Sequence, residues 1–296
     1  MNKLFHFIYL FWETYCACSH IDGRGSSMPE LPEMETYNIL LNQKIVGQVI
    51  SDIQINREKS INLNPDLFKR TVLHQKVTNV QRRGKHLLFH LQNSHVLLLH
   101  LMLGGWMFYG LESEKPKRTI QVQISFGENH LYFIGLRLGY LHLYNRQEVE
   151  EKLTDLGPEP LANDFTLNHF LELISHKHGR LKTTLLDQEF IAGIGNCYSA
   201  EICFHAGILP MIDIDQIEES KRNMLYHSMK AVLQNGIKYG GYMENPLFNG
   251  DTLTGGFNER CQVYDREGKN CNRCGAIIIN EMVSSRKTFY CPNCQK

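Results

Sequence analysis

The sequence predicts an α+β chain of several domains: an N-terminal domain of two packed sheets with flanking helices, then a helical domain, then a short C-terminal module. Three observations predict it. From about Val46 to Tyr144, short apolar runs alternate with polar residues at the period of a half-buried strand. From Asp164 to about Gly240 the apolar period becomes helical. In the last 26 residues, Cys271-Asn-Arg-Cys274 and Cys291-Pro-Asn-Cys294 stand 16 residues apart.

The first organised segment is Met28-Pro29-Glu30-Leu31-Pro32-Glu33-Met34-Glu35, ahead of a helical stretch Thr36 to Leu41. Proline suits the first turn of a helix, where its missing N–H costs nothing, and acidic residues suit the positive end of the dipole. The segment is therefore a good helix start. It also permits chemistry. Removal of Met28 as initiator would leave Pro29 as a secondary amine, with a pKa near the ~8 of an α-amino group. Such an amine attacks an aldehyde-level carbon to give an iminium, and Glu30 beside it can move protons. Residue chemistry alone supports both readings equally.

The strand candidates are Val49 to Ile53, Lys85 to Phe89, His95 to Leu99, Ile120 to Ile124 and Leu131 to Ile134, separated by Gly, Asn and Pro. Leu156-Gly157-Pro158-Glu159-Pro160 breaks the pattern and reads as a linker. Leu167 to Ile174 and Ser220 to Leu233 read as helices, with Asp and Ser as caps. Asn245 to Phe257, rich in Gly, Asn and Thr, reads as a mobile loop. The expected domains are 28–155, 156–258 and 259–296, after a leader of residues 1–27 that is either not native or disordered.

Two Cys-x-x-Cys knuckles with a hairpin-sized gap make a tetrahedral zinc site from Cys271, Cys274, Cys291 and Cys294. Four thiolates leave no open position, so one structural zinc ion is expected, supplying folding energy that so short a module lacks. Two disulfides in a secreted chain are the alternative. Of the nine cysteines, Cys197, Cys203 and Cys261 are scattered singly, which suits a reducing, cytoplasmic compartment. No run approaches the ~18 apolar residues of a membrane span. The net charge of zero gives no whole-chain case for nucleic acid. Local excesses do exist: residues 79–137 hold seven Lys or Arg against three Asp or Glu, and residues 259–296 hold seven against four. On charge alone, a phosphate-binding patch and ordinary solvated surface are equally supported.

Five motifs, in order, resemble those of the formamidopyrimidine-DNA glycosylase and endonuclease VIII family of base-excision repair enzymes. They are Met28-Pro-Glu-Leu-Pro-Glu33, Gln81-Arg-Arg-Gly-Lys85, His100-Leu-Met-Leu-Gly-Gly105, Ile191-Ala-Gly-Ile-Gly-Asn196 with Tyr198-Ser-Ala-Glu201, and Phe289-Tyr-Cys-Pro-Asn-Cys-Gln-Lys296. The resemblance spans Met28 to Lys296. It implies a β-sandwich catalytic domain, a helix–two-turn–helix domain and a β-hairpin zinc finger. It also implies a monomer acting on double-stranded DNA that carries a damaged base or an abasic site.

The implied reaction is attack of the Pro29 amine on the deoxyribose C1′ of an everted nucleotide, loss of the base, a Schiff base, and β,δ-elimination. Glu30 protonates the sugar oxygen, Glu33 orients the amine and the helix start, and Lys85 contacts phosphate. His100, Asn196, Tyr264 and Arg286 fall at phosphate-contacting positions. Gly193 and Gly195 are expected to bring backbone amides to a phosphate at the start of a helix near Asn196.

The chain departs from the family at three void-filling positions, where purine-excising members carry a methionine, an arginine and an aromatic. Here they are Leu103, Leu136 and Leu138, with Arg137 alone keeping its type. Leucine can wedge into a stack but cannot hydrogen-bond the orphaned base. Substrate identity and opposite-base preference therefore stay open at this point. A non-catalytic binder of distorted DNA and a glycosylase for alkylated or bulky bases are the alternatives. The leader is a second departure: attached, it would lock the Pro29 nitrogen in an amide. Its run Leu4 to Trp12 is like a short signal core, but an upstream misplaced start codon accounts for it better.

Overall fold

The computed structural model describes residues 28–296; the expected leader lies outside them. Helix α1 (Leu31–Ile45) buries Met34, Tyr37, Leu41 and Ile45, one face at helical spacing. It starts five residues before the expected stretch because Pro32 is tolerated in its first turn. The Glu33 carboxylate, in that same turn, accepts the Glu30 N–H at 2.9 Å.

The sandwich follows as β1 (Asp52–Ile55), α2 (Pro65–Val72), β2 (Val77–Arg83), β3 (His86–Leu91), β4 (His95–His100), β5 (Trp106–Leu111), β6 (Ile120–Phe126), β7 (Asn129–Ile134), β8 (Tyr140–Asn145) and α3 (Arg146–Lys152). Two antiparallel four-stranded sheets form, in the orders β1-β6-β7-β5 and β2-β3-β4-β8. Leu87, Phe89, Leu97 and Leu99 from one sheet meet Met107, Val122, Leu131 and Phe133 from the other. Period-2 alternation thus places one face of each sheet in the core. β2, β5 and β8 were not among the expected strands. β2 is hard to see in sequence because only Val77 and Val80 are buried along it.

The helical domain contains α4 (Leu167–Ser175), α5 (Leu181–Leu186), α6 (Asn196–Ala206) and α7 (Glu219–Lys238). Its caps differ from expectation. Thr166 caps α4 by accepting the His169 N–H, and α7 starts after Glu218 without a side-chain cap. Asp164 lies two residues too early, and Ser220 lies inside the first turn. Phe170, Leu185, Phe190, Tyr198, Ile202, Met229 and Leu233 form the core, and Leu31 of α1 is buried with them.

Two segments expected to be loose are tied down. In the linker, Glu159 accepts from Arg82, Arg83 and the Gly84 amide. The segment after α7 is no free loop. Leu247 is fully buried in the sandwich core, and its carbonyl accepts the Tyr109 N–H. Asp251 accepts from the amides of Leu247, Leu253 and Thr254. Gly and Asn there shape a strap between domains, and the burial of one leucine fixes it.

The C-terminal hairpin, β9 (Ile279–Val283) and β10 (Arg286–Tyr290), turns through Ser284 and Ser285, both left-handed at φ 49° and 63°. The module docks on α6. Glu201 accepts the amides of Gln262, Val263 and Tyr264, and Ala200 and Phe204 pack on Val263, Ile278 and Phe289. Among the described residues, no helix is long and apolar enough to cross a membrane.

Candidate active site

The site is built where the start of α1 meets the start of α6. Leu31 donates its N–H to the Gly193 carbonyl at 2.9 Å, which seats Pro29 and Glu30 against the helical domain. The Glu30 carboxylate, fully buried, accepts the amides of Gly195 at 2.6 Å, Cys197 at 2.8 Å and Tyr198 at 3.3 Å. The positive end of α6 therefore holds an internal anion. This corrects the expectation for the glycine loop. The Gly195 amide is taken by Glu30 and the Gly193 amide by Gln188 Oε1, so neither is presented to a phosphate. The glycines serve close approach instead. A β-carbon on Gly193 would lie 2.7 Å from Leu31 Cβ, and one on Gly195 would lie 2.4 Å from Glu30 Cδ.

Glu33 completes a second buried carboxyl. Besides the Glu30 N–H, it accepts the Tyr198 hydroxyl and the Tyr242 N–H, each at 2.8 Å. Burial, then the charge of Glu30, pushes its pKa up to about 8. Burial raises Glu30 as well, opposed by the charge of Lys85 and by the three amides. Of the two, Glu30 is the better placed to carry charge, because helix amides and a cation face it.

Lys85 is in the tight turn between β2 and β3, after the left-handed Gly84. Arg83 pins that turn by donating to the carbonyls of Leu156 and Gly157. Lys85 is half-buried as a residue, and burial of its ammonium lowers its pKa against the opposing pull of Glu30. Arg286, exposed at the zinc-module hairpin, is close enough to lower it further. The fold thus gathers Pro29, Glu30, Glu33, Lys85 and Arg286 from three distant stretches of chain.

Asn196 opens α6, close to Tyr264, which packs edge-on against Tyr242 and Phe289. His100 ends β4. Its Nδ1 accepts the Met102 N–H at 3.2 Å, so the ring proton is on Nε2. Burial, with the charges of His86 and Lys85, lowers its pKa to about 3, leaving a neutral donor.

The two loops beyond it interlock through backbone. A β-carbon on Gly135 would lie 2.1 Å from the Gly104 carbonyl oxygen, and one on Gly139 would lie 2.4 Å from that of His100. From this platform Leu103 is 44% exposed and Leu138 63%, whereas Leu136 is fully buried in the sandwich core. The expected trio of leucines is therefore a pair. Arg137 is exposed between Leu136 and Leu138, and its carbonyl accepts from Arg57.

Sequence reasoning missed two groups. Tyr242 follows two glycines and gave no pattern. Lys182, in the apolar helix Leu181–Leu186, looks like a surface lysine, yet it is 1% exposed and, among the described residues, its Nζ has no hydrogen-bond partner. Burial lowers its pKa to about 8.

The four expected ligands do converge. All four Cys Sγ atoms lie within 4.8 Å of one another, with Cys271–Cys294 at 3.8 Å and Cys274–Cys291 at 3.5 Å. A tetrahedral zinc with Zn–S bonds of about 2.3 Å sets sulfurs about 3.8 Å apart, so the donor set fits one structural zinc ion.

Comparison with known proteins agrees with this architecture. Residues 28–140 match the formamidopyrimidine-DNA glycosylase N-terminal domain, residues 156–245 the H2TH domain of the same enzymes, and residues 268–296 the zinc finger found in FPG and IleRS. The formamidopyrimidine-DNA glycosylase of Pelotomaculum thermopropionicum is 35% identical over 91% of this chain and 99% of its own length. That of Carboxydothermus hydrogenoformans is 33% identical over 91% and 100%. The Lactococcus lactis enzyme, solved in complex with abasic-site DNA, superposes with a TM-score of 0.85 at 30% identity, covering 90% of this chain and 99% of that one. A glycine-to-proline mutant of it, solved with Fapy-dG DNA, gives 0.84 at 30% identity. With three family domains in order, the same fold and a buried acidic site beside Pro29, the chain belongs to the formamidopyrimidine-DNA glycosylase family.

Proposed function

We propose that the chain is a bifunctional DNA glycosylase and abasic-site lyase of cytoplasmic base-excision repair, acting on oxidised or ring-opened bases. One observation carries the residue assignment. The segment bearing Pro29 is held at the junction of two domains by the Glu30 carboxylate on the α6 amides, with Lys85 alongside.

With Met28 removed, the Pro29 nitrogen attacks C1′ of the everted nucleotide and the glycosidic bond breaks toward the base. C1′ becomes an iminium carbon. Loss of a C2′ proton then expels the 3′ phosphate, and a second elimination expels the 5′ phosphate. Glu30 Oε1 accepts one amide and keeps a lone pair for these proton transfers. Glu33 and the Leu31 amide fix the helix start. Lys85, His100, Asn196, Tyr264 and Arg286 supply phosphate contacts, and Arg137 adds a cation beside the leucine pair.

Borohydride reduction of the Schiff base tests the reading. The chain processed to Pro29 is expected to form a covalent adduct with abasic-site DNA, and the chain retaining Met28 is not. Equal trapping by both forms would assign the nucleophile to a lysine, Lys85 first.

A further inference from the structure

We propose that Trp106 is a further DNA-contacting residue, its indole packing on the sugar–phosphate backbone of the complementary strand, across the exposed leucine pair from the reacting nucleotide. The inference rests on the glycosylase/lyase reading above and adds a group for the strand that bears no lesion.

The two loops that carry the leucine pair each cross from one sheet to the other. The loop of Leu103 leaves β4 at His100 and enters β5 at Trp106. The loop of Leu138 leaves β7 at Ile134 and enters β8 at Tyr140. Strand register sets His100 beside Tyr140 in one sheet and Trp106 beside Ile134 in the other. The leucines therefore stand on two feet, one in each sheet. Packed sheets lie about 10 Å apart. The two backbones of a duplex are separated by about 6 Å across one groove and about 12 Å across the other, a similar span. With His100 and Lys85 on the damaged strand, the Trp106 foot faces its complement.

Trp106 is the open member of its cluster. Ile120, Ile134 and Trp106 form one row across β6, β7 and β5 on the outer face of their sheet. Ile120 and Ile134 are buried with Phe108 and Tyr132, whereas Trp106 packs at the edge of the group and stays half-exposed. Three residues separate it from Leu103, so the two Cα atoms lie within about 11 Å. An indole offers a broad apolar face and one N–H, which suits deoxyribose beside phosphate.

Cations border the same row. Asn56 donates its N–H to the Gln121 carbonyl and its side-chain amide to that of Ile120, which seats Arg57 beside β6. The Arg57 guanidinium donates to the Arg137 carbonyl at 3.2 Å. Lys117 and Arg118 are exposed just before β6. Against these stands Glu58, also exposed, while Glu112 and Glu114 follow the far end of β5. A backbone contact of this kind adds affinity and position without reading a base.

Fluorescence tests the contact on the chain processed to Pro29. Of the two tryptophans in the sequence, Trp12 precedes Pro29, so Trp106 is the sole tryptophan of that chain. Its quenching by acrylamide is expected to fall about threefold when a duplex carrying a tetrahydrofuran abasic analogue binds. Trp106→Leu, which keeps the apolar row, is expected to bind that duplex about tenfold more weakly. The penalty is expected to vanish on a duplex whose complementary strand is gapped opposite the lesion. Binding that leaves the quenching of Trp106 unchanged overturns the contact without any variant. An equal penalty on intact and gapped duplexes overturns the strand assignment. A wild type that traps no abasic DNA with borohydride overturns the underlying glycosylase/lyase reading instead.

Discussion

Gly195 donates its N–H to Glu30 at 2.6 Å, and a β-carbon on Gly195 would lie 2.4 Å from the Glu30 carboxyl carbon. The backbone of Gly195 is extended, at φ −132°, a conformation any residue adopts. The glycine is required by space alone. Gly195→Ala is expected to push the starts of α1 and α6 apart, costing about 1–3 kcal/mol of stability. Displacement of the Pro29 segment should lower the trapping rate about 100-fold. Denaturant melts and single-turnover trapping check the two effects. An alanine variant with native kinetics would show that the contact yields.

Lys182 makes stability depend on pH in a defined direction. Its pKa is about 8 in the folded chain against an ordinary 10.5. The unfolded chain therefore binds more protons between those values, and stability rises with pH across that window. Below pH 8 the penalty is constant, about 3 kcal/mol from the 1.36 kcal/mol per unit relation. Lys182→Met should raise stability at pH 7 by roughly that amount. The gain should shrink above pH 8 and vanish near pH 10.5. A gain independent of pH would point to packing rather than charge.

The zinc module should melt separately from the rest. Removing the metal or replacing Cys294 by Ala leaves the hairpin only its small contact with α6, so Arg286 loses its position. Affinity for abasic-site DNA is expected to fall at least about tenfold, a loss of about 1.4 kcal/mol. The sandwich should keep its own melting transition. Metal analysis giving clearly less than one zinc per folded chain would defeat the assignment.

The exposed pair Leu103 and Leu138 should act as an apolar wedge. Neither side chain can hydrogen-bond a base, so excision is expected at similar rates whether the lesion faces cytosine or adenine. Leu138→Ala should slow removal of a damaged base more than cleavage of a pre-formed abasic site, because an abasic site has no base to evert. A preference above tenfold for one opposite base would require a polar reader, and Arg137→Ala would then identify it.

The sequence alone determined what depends on residue type and spacing: the two sheets, the helical domain, the four-thiol site, and a proline able to become a terminal nucleophile. Cysteine spacing and period-2 alternation are local properties, so they can be read locally. Only the tertiary structure decided which partner each group meets. The amides of Gly193 and Gly195 looked ready for a phosphate, but Gln188 and Glu30 occupy them. Leu136 and Leu138 are equivalent in sequence, yet one is buried and the other is 63% exposed. Lys182 gives no local sign of burial, and Tyr242 reaches Met28 across 214 positions of chain. Such contacts come from the docking of separate domains, where the energy depends on approach distance rather than sequence neighbours, so no local pattern records them.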